Sequence, residues 1–234
     1  MKRYNTVLKL VFIAASLCLL VVMVVQLFPL IREIVANVYD ESNIVEYIDA
    51  YGVRGVPVLI SLSALQYIVL VIPAPAVGVL IGLCYGIVWG PLIFLAGCAI
   101  GNLFVFFSVR QLRGMITPRE EHTPKHKKVL SKQQLEKMKR PELVVFFLFL
   151  IPGLPNSAVP YLFATTKIPL LKYMTASVAG SAPTAVIYVL LGERISSGNH
   201  TAAIIIAAVV LAAILILLLF KKKIMDKIIQ QGNA

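Results

Sequence analysis

Two proline pairs, in Val71-Ile-Pro-Ala-Pro75 and Leu150-Ile-Pro-Gly-Leu-Pro155, interrupt sequence that is otherwise apolar, and they decide the expected fold. Proline lacks a backbone N–H and clashes with the preceding helical turn, so each pair splits its segment into two half-helices. Backbone groups freed at membrane depth must be buried in protein or line an aqueous cavity. The breaks therefore predict two re-entrant helical hairpins. Two ordinary kinked helices, packed by their neighbours, are the alternative.

The sequence around the breaks has the composition of a membrane protein. Of its 234 residues, 59% are hydrophobic and 14% are charged, and the mean hydropathy is +0.87. Residues 55–109 contain no Asp, Glu, Lys, Arg or His. A helix needs about 20 apolar residues to cross a bilayer, so this block suits three passes, or one hairpin and one pass. The composition excludes a soluble globular protein and predicts an all-α polytopic membrane protein.

Hydropathy and charge divide the chain into segments. The first apolar stretch is interpreted as a retained helix, because no small-residue cleavage site follows it. The predicted segments are an N-terminal transmembrane helix in residues 1–31, an external polar loop in 32–54, a core in 55–195, a C-terminal transmembrane helix in 201–220 and a basic tail in 221–234. Within the core we expect hairpin 1 in residues 56–90, a span in 91–110, a basic cytoplasmic loop in 111–142, hairpin 2 in 143–165 and a span in 168–192.

Charge in the loops predicts the orientation, because Lys and Arg near the ends of spans stay cytoplasmic. Residues 110–142 carry ten basic and four acidic side chains, and the N-terminus and the tail are also basic. Residues 32–54 carry two basic and five acidic side chains. We therefore expect a multi-pass plasma membrane protein with both termini cytoplasmic and the acidic loop outside.

A weak internal repeat relates the two breaks. A shift of 79 residues aligns the first break with the second and Gly101 with Gly180. The charge pattern would place the two copies in opposite orientations, and proline-interrupted segments at matching positions of inverted halves indicate a substrate site near the midplane. Small residues four apart share a helix face and allow close packing. Glycines with this spacing, to which we assign a structural role, are Gly78, Gly82, Gly86, Gly90, Gly97 and Gly101, and we assign the same role to Gly180 and Pro183.

Few polar side chains interrupt the apolar segments, and each is a candidate for function. They are Gln66, Asn102, Asn156, Lys167 and Lys172, with Arg110 and Arg194 near the ends of spans. The lysines could contact headgroups or extend to the interface. Asn156 could bind a polar headgroup or cap the half-helix that follows it. Arg110 lies where a cytoplasmic interface is expected, which favours anchoring.

Motifs of soluble enzymes and metal sites are absent from the sequence. Cys18, Cys84 and Cys98 lie in apolar stretches without the spacing of a disulfide framework or a zinc site. No GxSxG, P-loop or HExxH motif occurs. Basic residues flank apolar segments instead of alternating with aromatic residues on one face, which argues against nucleic acid. We predict no enzymatic activity, no cofactor and no metal.

An ordered set of motifs extends over roughly residues 50–195. Its first half includes Tyr51-Gly-Val-Arg-Gly55, Ile72-Pro73, Pro75, Gly82, Tyr85-Gly86, Trp89-Gly90, Gly97, Gly101 and Arg110. Its second half includes Leu150-Ile-Pro152, Pro155-Asn156, Tyr161, Thr165, Tyr173, Gly180, Pro183 and Leu191-Gly192. In these motifs the chain resembles the DedA superfamily, in particular its VTT-domain branch of SNARE-associated Golgi-type membrane proteins. The resemblance implies two re-entrant hairpins in an inverted repeat, with flanking transmembrane helices.

The resemblance implies a protein that moves lipids, such as phospholipids or polyprenyl phosphate carriers. Proton-coupled transport is also associated with that family. This chain departs from the pattern at three positions. Phe149 stands where many relatives have Arg, Asn102 where many have Asp, and Pro160 where many have Asn. The loss of the Arg and Asp charges argues against proton coupling and against phosphate recognition by that Arg, and it favours a passive, scramblase-like or a degenerate role.

The sequence thus predicts a membrane lipid transporter or scramblase that supports membrane homeostasis. Orphan N–H groups after Pro75 and Pro155 would attract an anionic lipid headgroup. The predicted substrate-binding residues are Pro73, Pro75, Asn102, Arg110, Pro152, Gly153, Pro155, Asn156, Tyr161 and Lys167. A homo-oligomer is a further expectation. A proton- or ion-coupled small-solute transporter and a membrane scaffold are the alternatives.

Overall fold

The computed structural model of the chain describes residues 55–69, 72–113, 138–151, 156–212 and 215, and it is helical in each of these stretches. Six α-helices and one short 3-10 helix lie within the described residues. They are α1 (Gly55–Val69), α2 (Ala74–Arg113), α3 (Pro141–Leu150), the 3-10 turn (Asn156–Ala158), α4 (Val159–Ala164), α5 (Leu170–Ser196) and α6 (His200–Ala212). Outside the described residues lie the predicted N-terminal helix, the external loop, most of the basic loop and the basic tail.

Two of these helices are long and apolar enough to cross a membrane, over Ala74–Gln111 and Leu170–Ser196. A shorter apolar helix lies N-terminal to each of them, with 15 residues in α1 before α2 and 10 residues in α3 before α4 and α5. At about 1.5 Å per residue, neither reaches across a hydrocarbon core of about 30 Å. Each long helix therefore follows an apolar helix that is too short to span alone.

The backbone of α2 bends at Gly86, whose φ of 61° and ψ of −172° lie outside the helical region. Such a positive φ is costly for any residue with a Cβ, so glycine allows the chain to turn here. The bend divides α2 into a first arm, residues 74–85, and a second arm, residues 87–113. Immediately after it, Val88 and Trp89 are 71% and 64% exposed. The four-residue spacing predicts that Gly86 packs closely against another helix. In the structure Gly86 is instead a turn residue, and an added Cβ would meet only the Glu193 side chain, at 3.6 Å.

Close backbone contact joins α2 to α5. A Cβ on Gly82 would overlap the carbonyl oxygen of Val189, and a Cβ on Gly192 would overlap that of Val79. Gly78 and Gly90 face Tyr188 and Val189 in the same interface. The expected structural role of Gly78, Gly82 and Gly90 is explained by this contact, because glycine lets helix backbones approach each other.

Each short apolar helix packs on the long helix that follows it. Gly97 and Gly101 in the second arm of α2 lie against α1, where a Cβ on Gly101 would be 2.5 Å from the Ala64 carbonyl oxygen. Gly180 in α5 lies in the same way against the Phe146 carbonyl oxygen of α3. Pro183 lies within α5, one turn further on. The described helices thus surround one hydrophobic core that includes Leu59, Ile81, Phe106, Phe149 and Val189.

Replacing Gly82 with Leu tests the α2–α5 contact. The side chain would overlap the Val189 carbonyl, so we expect a loss of about 1–3 kcal/mol of stability, as is typical of overpacked cores. Ala76→Leu is the matched control, because Ala76 is exposed on the same arm of α2. The measurement is the temperature at which the detergent-solubilised protein loses its monodisperse gel-filtration peak. Equal midpoints for both variants would contradict the close contact.

Candidate functional site

A cavity of about 240 Å³ lies where the first break, the 3-10 turn and α5 meet. Three of the predicted substrate-binding residues, Pro73, Pro75 and Asn156, line this central cavity. Its complete lining is Gln66, Tyr67, Ile72, Pro73, Ala74, Pro75, Asn156, Ser157 and Tyr188. None of these side chains carries a formal charge at neutral pH. The cavity is therefore a small, partly polar space between segments that are far apart in sequence.

The start of α2 has few backbone donors to offer the cavity. Pro73 and Pro75 have no N–H, and the N–H of Ala76 donates to the Pro73 carbonyl oxygen at 3.1 Å. The Val77 N–H lies 3.4 Å from the same oxygen. We expected orphan N–H groups after Pro75 to attract an anion. At this helix start that expectation is wrong, because prolines and a local hydrogen bond remove the donors.

Gln66 is the most deeply buried amide of the central cavity, with 2% of its surface exposed. Its Nε2 donates to the Ser63 carbonyl oxygen at 2.9 Å and contacts Cys98 Sγ at 3.7 Å. Its Oε1 accepts no hydrogen bond within the part of the chain that the structure describes. The sequence identified Gln66 as a polar residue in an uncharged block, but we did not include it among the predicted binding residues.

Asn102 lies away from the central cavity and joins two helices. It is 1% exposed, and its Oδ1 accepts a hydrogen bond from the Tyr173 hydroxyl at 2.7 Å. Its Nδ2 donates to the Cys98 carbonyl oxygen at 2.9 Å. The Tyr173 ring stacks on Phe106 with centroids 4.4 Å apart. The geometry therefore gives Asn102 a role in packing α2 on α5, where it has no access to a lipid.

Arg110 and Tyr161 also make contacts between distant parts of the chain. Arg110 Nη2 donates to the carbonyl oxygens of Thr166 and Ile168 at 2.9 and 2.8 Å. Its guanidinium lies 4.5 Å from the centre of the Phe106 ring. Tyr161 donates to the Ile68 carbonyl oxygen at 3.1 Å. Arg110 thus holds the link between α4 and α5, and Tyr161 ties α4 to the end of α1.

Lys167 lies in that same link, on the rim of a different cavity. Its side chain is exposed and, together with Lys139, Glu142 and Lys172, lines a space of about 210 Å³. Lys172 Nζ and Glu142 Oε1 form an ion pair there at 3.5 Å. The structure thus separates Lys167 from the residues of the central cavity. Pro152, Gly153 and Pro155 lie outside the described residues.

A double-mutant cycle on Asn102 and Tyr173 tests whether their hydrogen bond is structural. Asn102→Leu and Tyr173→Phe each leave a buried partner unpaired, which costs about 1–3 kcal/mol. The double variant should lose less than the sum of the two, because no orphan remains. The readout is the thermal midpoint in detergent, and strictly additive losses would argue against a direct bond.

Comparison with known proteins gives a family but no individual relative. The model of the VTT domain matches residues 72–194, from the first break to the last turn of α5. No curated protein and no solved structure matches the chain. Within the described residues, no group of three His, Cys, Asp or Glu side chains could hold a metal ion. Because the VTT match covers more than half of the sequence, the chain belongs to the VTT-domain family, the DedA and SNARE-associated family of membrane proteins.

Proposed function

We propose that this membrane protein moves lipids between leaflets as a transporter of the scramblase type. The observation that carries the proposal is the central cavity, which joins the first proline break to the 3-10 turn after the second. A polar headgroup cannot cross a hydrocarbon core cheaply without hydrogen-bonding partners. In the proposed mechanism the headgroup passes through the central cavity, while the acyl or polyprenyl tails stay in the bilayer.

Two re-entrant hairpins in an inverted repeat are part of this proposal. The first hairpin would consist of α1 and the first arm of α2, and the second of α3, the 3-10 turn and α4. Two observations support these hairpins. First, α1 and α3 are short. Second, Gly101 and Gly180, which lie 79 residues apart, make matching contacts with backbone carbonyl oxygens of α1 and α3. Broken helices that meet between two halves form the substrate sites of many transporters.

The central cavity favours passive movement over ion coupling. Coupled transport relies on ionisable side chains within the membrane, and no residue that lines the central cavity is ionised at neutral pH. The same lining contains no cation to pair with an anionic headgroup. Recognition would therefore rest on hydrogen bonds, and the proposed partners are membrane lipids whose headgroups can form them.

Filling the central cavity tests its role. Ser157→Trp places a large ring in the lining, so we expect lipid exchange in proteoliposomes to fall at least about tenfold relative to the unmodified protein. Ala76→Trp is the control, because Ala76 is exposed and does not line the central cavity. The assay follows tail-labelled phospholipids between leaflets without an ion gradient.

Three results of this assay would count against the proposal. Equal rates for both tryptophan variants would remove the central cavity from the path. Lipid movement that requires a pH or sodium gradient would favour an ion-coupled transporter. Absence of any lipid exchange above that of empty liposomes would contradict lipid transport itself.

The proposed orientation places both termini and the basic loop in the cytoplasm of a plasma membrane protein. In a variant without native cysteines, a thiol introduced by Ser42→Cys should react with an impermeant maleimide on intact cells. A thiol introduced by Thr123→Cys should react only after the membrane is permeabilised. Labelling of both sites on intact cells would contradict this orientation.

A further inference from the structure

The orientation of the Gln66 amide follows from its contacts. The Ser63 carbonyl oxygen, 2.9 Å away, can only accept a hydrogen bond, so the nearer amide atom must be the Nε2 donor. Reversing the amide would bring two acceptors together. Nε2 therefore makes both side-chain contacts, to Ser63 in α1 and to Cys98, and Oε1 takes part in neither.

That oxygen is buried and accepts no hydrogen bond from the described residues. A buried acceptor without a partner costs about 1–3 kcal/mol, and a membrane interior gives it no bulk water. The other buried side-chain amide of the described residues, that of Asn102 in α2, is satisfied, because its oxygen accepts a hydrogen bond from Tyr173. Gln66 thus keeps an unused acceptor in a side chain that lines the central cavity.

The other residues that line the central cavity indicate which chemical groups could pair with Gln66 Oε1. Neutral side chains make up the whole lining, so charge does not select among headgroups. A group with an N–H or O–H would satisfy Oε1 when it enters. A quaternary ammonium or a fully esterified phosphate has no hydrogen to donate and would leave Oε1 unpaired. Sites with buried hydrogen-bonding groups reject analogues that cannot pair with them.

We infer that Gln66 makes the central cavity selective for lipid headgroups that donate a hydrogen bond, such as primary ammonium or glycerol hydroxyl groups. The inference rests on the proposed function, because it assumes that headgroups enter the central cavity. It assigns a specificity-determining residue and a chemical class of substrate. The expected discrimination against a headgroup without donors is about tenfold or more, which corresponds to one unpaired buried acceptor.

A methylation series separates hydrogen bonding from size. Proteoliposomes contain tail-labelled phosphatidylethanolamine, its N-methyl and N,N-dimethyl derivatives, or phosphatidylcholine, all with identical tails. Headgroup volume rises evenly along the series, but the last N–H disappears only at phosphatidylcholine. We expect similar exchange rates for the first three lipids and a drop of about tenfold at the fourth. An even decline along the series would indicate size exclusion and overturn the inference.

Variants of Gln66 assign the effect to this residue. Gln66→Leu and Gln66→Met remove the acceptor at similar volume, so the drop at phosphatidylcholine should disappear in whichever of them retains a monodisperse, helical fold. Gln111→Leu is the matched control, because Gln111 lies near the end of α2 and does not line the central cavity.

The outcomes separate a failure of the inference about Gln66 from a failure of the proposed lipid transport. Equal rates for all four lipids in the unmodified protein would overturn the selectivity and leave lipid transport in place. A drop that persists in the folded leucine or methionine variant would overturn the assignment to Gln66. No lipid exchange above that of empty liposomes would overturn both the inference and the proposed function.

Discussion

The described structure depends on the contact between the backbones of α2 and α5. Each helix presents a glycine to a carbonyl of the other: Gly82 faces Val189, and Gly192 faces Val79. Because lipid tails are as apolar as the side chains, packing and polar contacts hold membrane helices together, and small residues make such packing possible. The same contact brings Tyr188 against Gly78 and into the wall of the central cavity. The contact therefore positions one wall of the central cavity.

Polar groups within the apolar core fall into two kinds. Asn102, Arg110 and Tyr161 each have partners on another part of the chain, and each links segments that are more than 50 residues apart. Such pairing is what a membrane interior demands of a polar side chain. Gln66 differs, because only one end of its amide is used. The first three residues thus form a fixed frame, whereas Gln66 lines the central cavity and keeps an acceptor that no described residue uses.

Local sequence was enough to predict that the chain is helical and that it breaks at Pro73, while the repeat of the two breaks indicated that Pro73 and Asn156 would meet. Proline acts on its own backbone, and apolar length sets the number of helices, so neither depends on distant contacts. The roles of Asn102 and Arg110 could not be predicted in this way. Whether an amide or a guanidinium faces a ligand or a carbonyl is decided by the helix that packs against it. The bend at Gly86 was hidden for a related reason, because its glycine continued a four-residue spacing that elsewhere indicates packing.

The bend at Gly86 also has a consequence for the thickness of the membrane around the protein. Exposed Trp89 follows the bend at one end of the second arm of α2, and Arg110 lies near the other end. Tryptophan is enriched at both membrane interfaces and arginine at the cytoplasmic one, so this pair would mark the two edges of the hydrocarbon layer. The 22 residues from one to the other rise about 32 Å, which matches an average bilayer core of about 30 Å. In a bilayer several ångströms thinner, this arm would have to tilt. This arm carries Gly97 and Gly101, which contact α1. A tilt of the arm would therefore move α1 and, with it, Gln66 in the wall of the central cavity.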